Sequence, residues 1–265
     1  MYSIFPAKVQ NKKEFANNIE LNLKTLPLHI TKFNFMKRAS EMTKKELARY
    51  IDQSVLKPEF TQSEIRKYIQ EGIDFGCKTV CINPSSIPVA KELCRNTDTG
   101  ICVVCDFPFG LSSTKSKLLQ AQEILDAGNI EDLDIVSNYG WFRSGMWSMA
   151  QEQLQAVAEL CHKYGTLLKV IFETDALTLE EVAKATDIAC IAGADFVKTS
   201  TGFYTGGENR GATPEVIRIM MDAAKGRCKI KGSGGIRTKE HFFELIDMGI
   251  DRMGIGYRST PVMLG

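Results

Sequence analysis

From residue 43 onward, short apolar runs of strand length alternate with longer stretches of helical period. The strand-like runs fall at 50–53, 79–84, 100–107, 132–136 and 167–172, then in the segments ending on Lys198 and Lys231, and last at 252–255. Stretches with apolar residues three and four apart fill the gaps, among them 113–127, 149–164, 178–192, 214–224 and 239–248. Thr61 followed by Glu64 reads as a capped helix start, because the hydroxyl and the carboxylate satisfy each other's backbone amides. Eight apolar strands, each followed by a helical pattern, predict an α/β fold: one closed (β/α)8 TIM barrel over residues 44–265. No G-x-G-x-x-G follows the first strand, which weighs against a dinucleotide-binding sheet. The chain stops soon after the eighth strand, so the last helix is short or missing. Residues 1–43 differ in kind, being rich in Lys, Asn and Phe, with a weakly amphipathic stretch over 14–28. They form an N-terminal extension, either an accessory helix or a partly disordered tail.

Composition removes several classes of function. The 265 residues are 44% hydrophobic and 25% charged, enough for one sizeable core. A net charge of +1 gives no electrostatic footprint for nucleic acid or an anionic membrane. No apolar run reaches membrane-span length, and the N-terminus lacks the apolar centre of a secretory signal, so a cytoplasmic protein is expected. Eight cysteines at strand-like positions then read as reduced thiols. Cys102 and Cys105 form a C-x-x-C, but on a strand they face opposite sides, which suits neither a zinc site nor a redox pair. His29, His162 and His241 share no ligand spacing. Neither a metal nor an organic cofactor is expected.

The chemistry gathers at two lysines. Residues 193–202 read G-A-D-F-V-K-T-S-T-G, an apolar strand ending on Lys198 and followed by hydroxyls and a glycine. Residues 230–237 repeat the design as I-K-G-S-G-G-I-R, with Lys231 before a glycine-rich turn able to wrap an anion. A buried-strand lysine is paired, deprotonated or at the strand's open end. On successive strands, one ammonium lies close enough to lower the pKa of the other, the usual preparation of a lysine for imine chemistry. Asp134, flanked by Leu133 and Ile135, is a carboxylate inside an apolar strand and needs such partners. A structural ion-pair cluster is the competing interpretation. Lys198, Lys231 and Asp134 all fall at or near the C-terminal strand ends, where barrels of this kind carry their active sites.

At this point the sequence resembles the deoxyribose-phosphate aldolases, imine-forming (class I) aldolases on a TIM barrel, over about residues 43–260. The resemblance rests on I-D-Q-S-V-L-K-P at 51–58, V-C-I-N-P at 80–84, F-P-F-G at 107–110, L-D-I-V at 133–136, L-K-V-I-F-E-T at 168–174, and the two lysine segments. It implies that Lys198 forms the imine, that Lys231 relays protons and that Asp134 is the catalytic aspartate. Asp52 matches a carboxylate near the second lysine, and Lys169 and Glu173 match a charged pair on strand five that supports the site. Gly202, Gly234, Gly235, Arg237 and Gly256 fall where the family holds the substrate phosphate. Cys81 falls where some members carry a thiol that captures aldehydes. The implied reaction is reversible cleavage of 2-deoxy-D-ribose 5-phosphate to acetaldehyde and glyceraldehyde 3-phosphate. Its only expected partners are a small sugar phosphate and further copies of the chain, as a homodimer or homotetramer.

Departures from the family pattern leave alternatives open. Gln53 and Ser54 replace the usual His and Thr, Asp106 stands where a glycine is usual, and 137–143 is more aromatic than usual. Gly256 and Tyr257 displace two serines that would face the phosphate. The same lysine chemistry on a different or unphosphorylated sugar is therefore the alternative, with a catalytically silent sugar-phosphate-binding barrel behind it.

Overall fold

Alternation of inward and outward side chains builds the barrel. In the computed structural model, which describes residues 37–265, eight parallel strands close in sequence order. They are β1 (Ile51–Val55), β2 (Thr79–Ile82), β3 (Gly100–Cys105), β4 (Asp132–Val136), β5 (Leu167–Ile171), β6 (Phe196–Lys198), β7 (Lys229–Ser233) and β8 (Arg252–Gly256). The helices are α1 (Lys44–Ala48), α2 (Gln62–Asp74), α3 (Ile87–Leu93), α4 (Thr114–Asp126), α5 (Tyr139–Arg143), α6 (Trp147–Lys163), α7 (Leu179–Ile191), α8 (Pro214–Ala224), α9 (Lys239–Asp247) and α10 (Thr260–Leu264). The expected (β/α)8 barrel is thus present, and the closing helix α10 is a single short turn and a half. The stretch at 14–28 and the rest of the extension up to residue 36 lie outside the described residues. Among the described residues, Ala39 is fully buried and its N–H donates to Asp247 Oδ1 at 2.7 Å.

Helix starts follow local chemistry. Thr43, Thr61 and Thr178 each close a reciprocal capping box with Glu46, Glu64 and Glu181. Outward residues such as Leu133, Ile135, Leu168, Val170, Val197 and Ile255 pack under the helices in one large apolar layer. The inside is different. Where such barrels usually stack branched aliphatic side chains, this interior holds Asp52, Asp132, Asp134, Lys169, Lys198, Lys231 and Arg252. The inner apolar residues Leu56, Cys81, Cys102 and Val104 form a separate small cluster, with Phe107 and Phe203 against it. Among the described residues, no helix is long and apolar enough to cross a membrane.

One expectation about the cysteines needs correcting. Cys190, at the end of α7, and Cys228, just before β7, form a disulfide with Cα atoms 5.7 Å apart. Neither lies in a strand, and helix and strand ends meet there across a 38-residue separation that the sequence pattern does not reveal. Cys102 and Cys105 do face opposite sides: Cys102 meets Asp134 inside, while Cys105 lies against Gln120 of α4.

Candidate active site

Strand register decides which charges meet. Lys198 pairs in register with Lys231, Asp134 with Lys169, and Lys231 with Arg252. These side chains all project inward, and the long ones reach across the barrel to the carboxylates of β1 and β4. Lys198 Nζ and Lys231 Nζ both donate to the same oxygen, Asp134 Oδ2, each at 2.8 Å. Lys231 Nζ also lies 2.5 Å from Asp52 Oδ2. Lys169 Nζ is 3.3 Å from both Asp52 Oδ2 and Asp134 Oδ1, and it donates to Asp132 Oδ2. Arg252 Nη1 donates to Asp52 Oδ1 at 2.8 Å. Gly254, across from Ser233, leaves room for this traffic: a Cβ there would come 3.0 Å from Ser233 Cβ and 3.6 Å from Lys231 Cε.

The cluster fixes its own protonation. Burial works against the charge of Asp134 and Asp52, but their lysine neighbours outweigh it and hold both carboxyls far below the ordinary range. Burial likewise opposes the ammonium groups of Lys231 and Lys169, and the carboxylates of Asp134 and Asp52 overcome it, so both are held above the ordinary lysine value. Asp132, deeper and less surrounded, is pushed up by burial. Lys231 is therefore a firmly held cation.

A cavity of about 350 Å³ opens above the cluster. Of the cluster's four basic side chains only Lys198 lines it, together with Ser54, Lys57, Thr201 and Phe203. Gly202, Gly234, Gly235, Arg237 and Gly256 line its other side, with Tyr257, Arg258 and Ser259. Gly235 is needed as glycine: its φ is +72°, and a Cβ would come 2.5 Å from the Arg210 carbonyl. Lys169 and Glu173, the two charged residues matched to strand five, make no ion pair with each other. They lie four residues apart on and just beyond β5, so the chain has turned between them. Lys169 enters the cluster, whereas Glu173, at φ +58°, accepts from the Thr201 hydroxyl beside a second, smaller cavity lined by Tyr139, Arg143 and Tyr204.

A barrel whose only cavity-facing buried amine touches a carboxylate shared with a second lysine is equipped for imine chemistry, and the sequence comparisons agree. The model of the DeoC/LacD family aldolases matches residues 47–259. The chain belongs to this family. It is 41% identical over 215 residues to the deoxyribose-phosphate aldolase of Thermococcus kodakarensis, covering 80% of this chain and 94% of that one. Among solved structures it is similar to QR15, an aldolase, at 35% identity and a TM-score of 0.74, over 82% of this chain and 94% of that one. It is also similar to the tetrameric deoxyribose phosphate aldolase from Aeropyrum pernix, at 29% identity and a TM-score of 0.74, over 84% and 91% of the two chains.

The departures from the family's usual residues now have places. Gln53 points out of the barrel and donates to the Tyr68 carbonyl in α2 at 2.6 Å, away from the chemistry. Ser54 points in and keeps a hydroxyl on the cavity wall. Asp106 takes φ +50°, a conformation glycine adopts freely, and is held there by the Ser112 N–H and hydroxyl and by buried Lys117 at 3.3 Å. The aromatic stretch is largely packing, with Phe142 stacked on Trp147 and edge-on to Phe172. Tyr257 turns its ring onto Tyr68 (centroids 4.0 Å apart) and Phe60 rather than filling the cavity. Reading the sequence missed Asp132, Arg252 and Cys102 as members of the cluster and Lys57 as a wall residue. A signal for Asp132 was present: two residues from Asp134 on one strand, it must share the inner face.

Proposed function

We propose that this protein is a class I aldolase that reversibly cleaves 2-deoxy-D-ribose 5-phosphate to acetaldehyde and glyceraldehyde 3-phosphate through an imine on Lys198. One observation carries the assignment of the nucleophile. Within the buried cluster, three carboxylates (Asp52, Asp132, Asp134) meet four basic groups, and Lys198 alone of the four opens onto the cavity. Lys169, Lys231 and Arg252 match the three carboxylates in number, and Lys198 is the fourth basic group, the one at the cavity.

In the cleavage direction, the free amine of Lys198 attacks C1 of the open-chain aldehyde. Asp134, hydrogen-bonded to that amine, and Lys231, bonded to the same carboxylate oxygen, pass the protons that turn the carbinolamine hydroxyl into departing water. The resulting iminium draws the C2–C3 bond pair to itself as the C3 hydroxyl loses its proton, and glyceraldehyde 3-phosphate leaves. The remaining enamine is protonated at C2, and water releases acetaldehyde. Lys57, Arg237 and Arg258 around the cavity mouth, with the glycine turn at 234–235, favour an anionic tail on the sugar. A cytoplasmic setting is favoured by the six free thiols. The tetrameric Aeropyrum pernix relative supports assembly as a homodimer or homotetramer, which light scattering would read; a monomer would exclude it.

The test is reductive trapping. Acetaldehyde with borohydride should add an ethyl group to Lys198 alone, and Lys198→Arg should lose turnover because a guanidinium forms no imine. Label on Lys231 or Lys169 instead would overturn the assignment, and no label at all would favour a silent binding barrel.

A further inference from the structure

Cys81 and Cys102 are register neighbours on β2 and β3, and both point into the barrel. Their sulfurs are 3.5 Å apart, and Cys102 Sγ is 3.1 Å from Asp134 Oδ1. The single thiol hydrogen of Cys102 therefore serves two acceptors, the Cys81 sulfur and the carboxylate that both catalytic lysines share. We propose that Cys81 and Cys102 are an oxidisable pair, closed to a disulfide by a small neutral peroxide, and that closure reversibly blocks the aldolase site. The block, though not the bond, rests on the function proposed above.

Geometry favours closure. Neighbouring strands lie about 4.8 Å apart, inside the Cα range of roughly 4.4–6.8 Å that disulfides use. Rotation about the side-chain bonds brings the sulfurs from 3.5 Å to the bonded distance of about 2.05 Å. The pair shares an apolar wall with Leu56, and Phe203 packs against it; both of these line the substrate cavity, so a water-sized oxidant has the substrate's own route. A bulky charged disulfide such as oxidised glutathione does not fit that path. The hydrogen bond from Cys102 lowers the Cys81 thiol against its burial, marking Cys81 as the first sulfur to react. The same two thiols and Asp134 have metal-ligand spacing. Yet Lys169, Lys198 and Lys231 already surround that carboxylate, and a further cation would meet all three. A neutral disulfide has no such conflict.

The chemistry balances. The Cys81 sulfur attacks one peroxide oxygen, the O–O bond breaks, and a sulfenic acid and one water form. The Cys102 sulfur then displaces the hydroxyl at Cys81, forming the S–S bond and a second water, so two electrons pass from the thiols to the peroxide. Asp134 loses a hydrogen-bond donor in the process, while β2 and β3 are tied beneath the cavity.

The experiment treats the full chain with a small excess of hydrogen peroxide, blocks free thiols and maps the peptides. The expected result is a Cys81–Cys102 link, a fall in kcat/KM of about tenfold or more, and recovery with dithiothreitol. Cys102→Ala should abolish the link and leave Cys81 as a sulfenic acid that dimedone captures. A double Cys190→Ser, Cys228→Ser variant should still lose activity reversibly. The proposal is overturned if Cys81 and Cys102 remain separately alkylated after peroxide, if the loss disappears with Cys190 and Cys228, or if the link forms without loss of cleavage. Because the link is read by mass on the wild-type sequence, its formation is decided independently of the aldolase assay.

Discussion

Replacing Lys231 by methionine removes one buried ammonium while keeping most of its length. Its Nζ holds Asp52 Oδ2 at 2.5 Å and Asp134 Oδ2 at 2.8 Å, all fully buried. Breaking a buried pair by deleting one partner costs about 3–5 kcal/mol, because a carboxylate is left without its counter-charge. Here the low end applies. Asp52 keeps Arg252 at 2.8 Å and Lys169 at 3.3 Å, and Asp134 keeps Lys198 at 2.8 Å. For a domain of this size, about 3 kcal/mol corresponds to a fall in Tm of roughly 6–12 °C. The second change, Asp52→Asn in the same chain, should recover part of that loss by neutralising the carboxylate that has lost its nearest cation, yet recover no activity, since the ammonium that shares Asp134 with Lys198 is still missing. The assay is thermal unfolding of the wild type, the single variants and the double variant, with cleavage of 2-deoxyribose 5-phosphate measured on each. A Lys231→Met protein that melts within a degree of wild type would show that the cluster is not the electrostatic unit described. Recovery of activity in the double variant would deny Lys231 a part in proton transfer.

Three further outcomes follow from the same contacts. Asp52 and Asp134 titrate lower in the fold than in the unfolded chain, so the stability they contribute is whole above about pH 4 and is lost as pH falls toward their folded values; Tm should be level from neutral pH down to about 5 and drop below 4, and an Asp134→Asn variant that keeps the wild-type acid slope would refute this. Lys117→Met should cost about 3 kcal/mol by stranding Asp106, and Asp106→Gly in the same chain should restore most of it, since glycine suits the positive φ; equal melting of the single and double variants by calorimetry would break the pairing argument. At Gly256 a Cβ meets nothing within 4 Å, so Gly256→Ser adds a hydroxyl to the phosphate side of the cavity without a clash; the ratio of kcat/KM for 2-deoxyribose 5-phosphate over 2-deoxyribose should rise about tenfold, and an unchanged ratio would mean the cations at the mouth already saturate that end.

How much of this was legible depended on the period of each element. Two-residue alternation on strands exposed the barrel and brought Lys198, Lys231 and Asp134 to one end, because inward positions are fixed once the outward ones are apolar. The same rule, pressed further, reaches Asp132, two residues before Asp134 and on the same inner face. Arg252 was harder: it opens β8, and only the register of β7 against β8 shows that it lies beside Lys231. Glu173 falls beyond the strand, which ends at Ile171, and a left-handed turn that the sequence pattern does not show carries its carboxylate to Thr201. The disulfide between Cys190 and Cys228 depends on where a helix end meets a strand start, which no local pattern encodes.

The departures from the family pattern sort themselves by side. A change on the outer face of a strand has to satisfy a helix, and one on the inner face has to satisfy the chemistry. Gln53 is outward, and its amide replaces whatever the usual residue offered with a bond to the Tyr68 carbonyl. Tyr257 also leans outward, closing an aromatic cluster with Tyr68 and Phe60 on the same helix layer, so the two changes meet around one side chain. That shared neighbour makes them a single adjustment in packing between β1, β8 and α2. The inner face, by contrast, carries the buried charges of Asp52, Asp132, Asp134, Lys169, Lys198, Lys231 and Arg252, and Ser54 keeps a hydroxyl on the cavity wall. Packing and the proposed reaction thus make their demands on opposite faces of the same strands, and on β8 the position of Gly256 faces the cavity with open space around it.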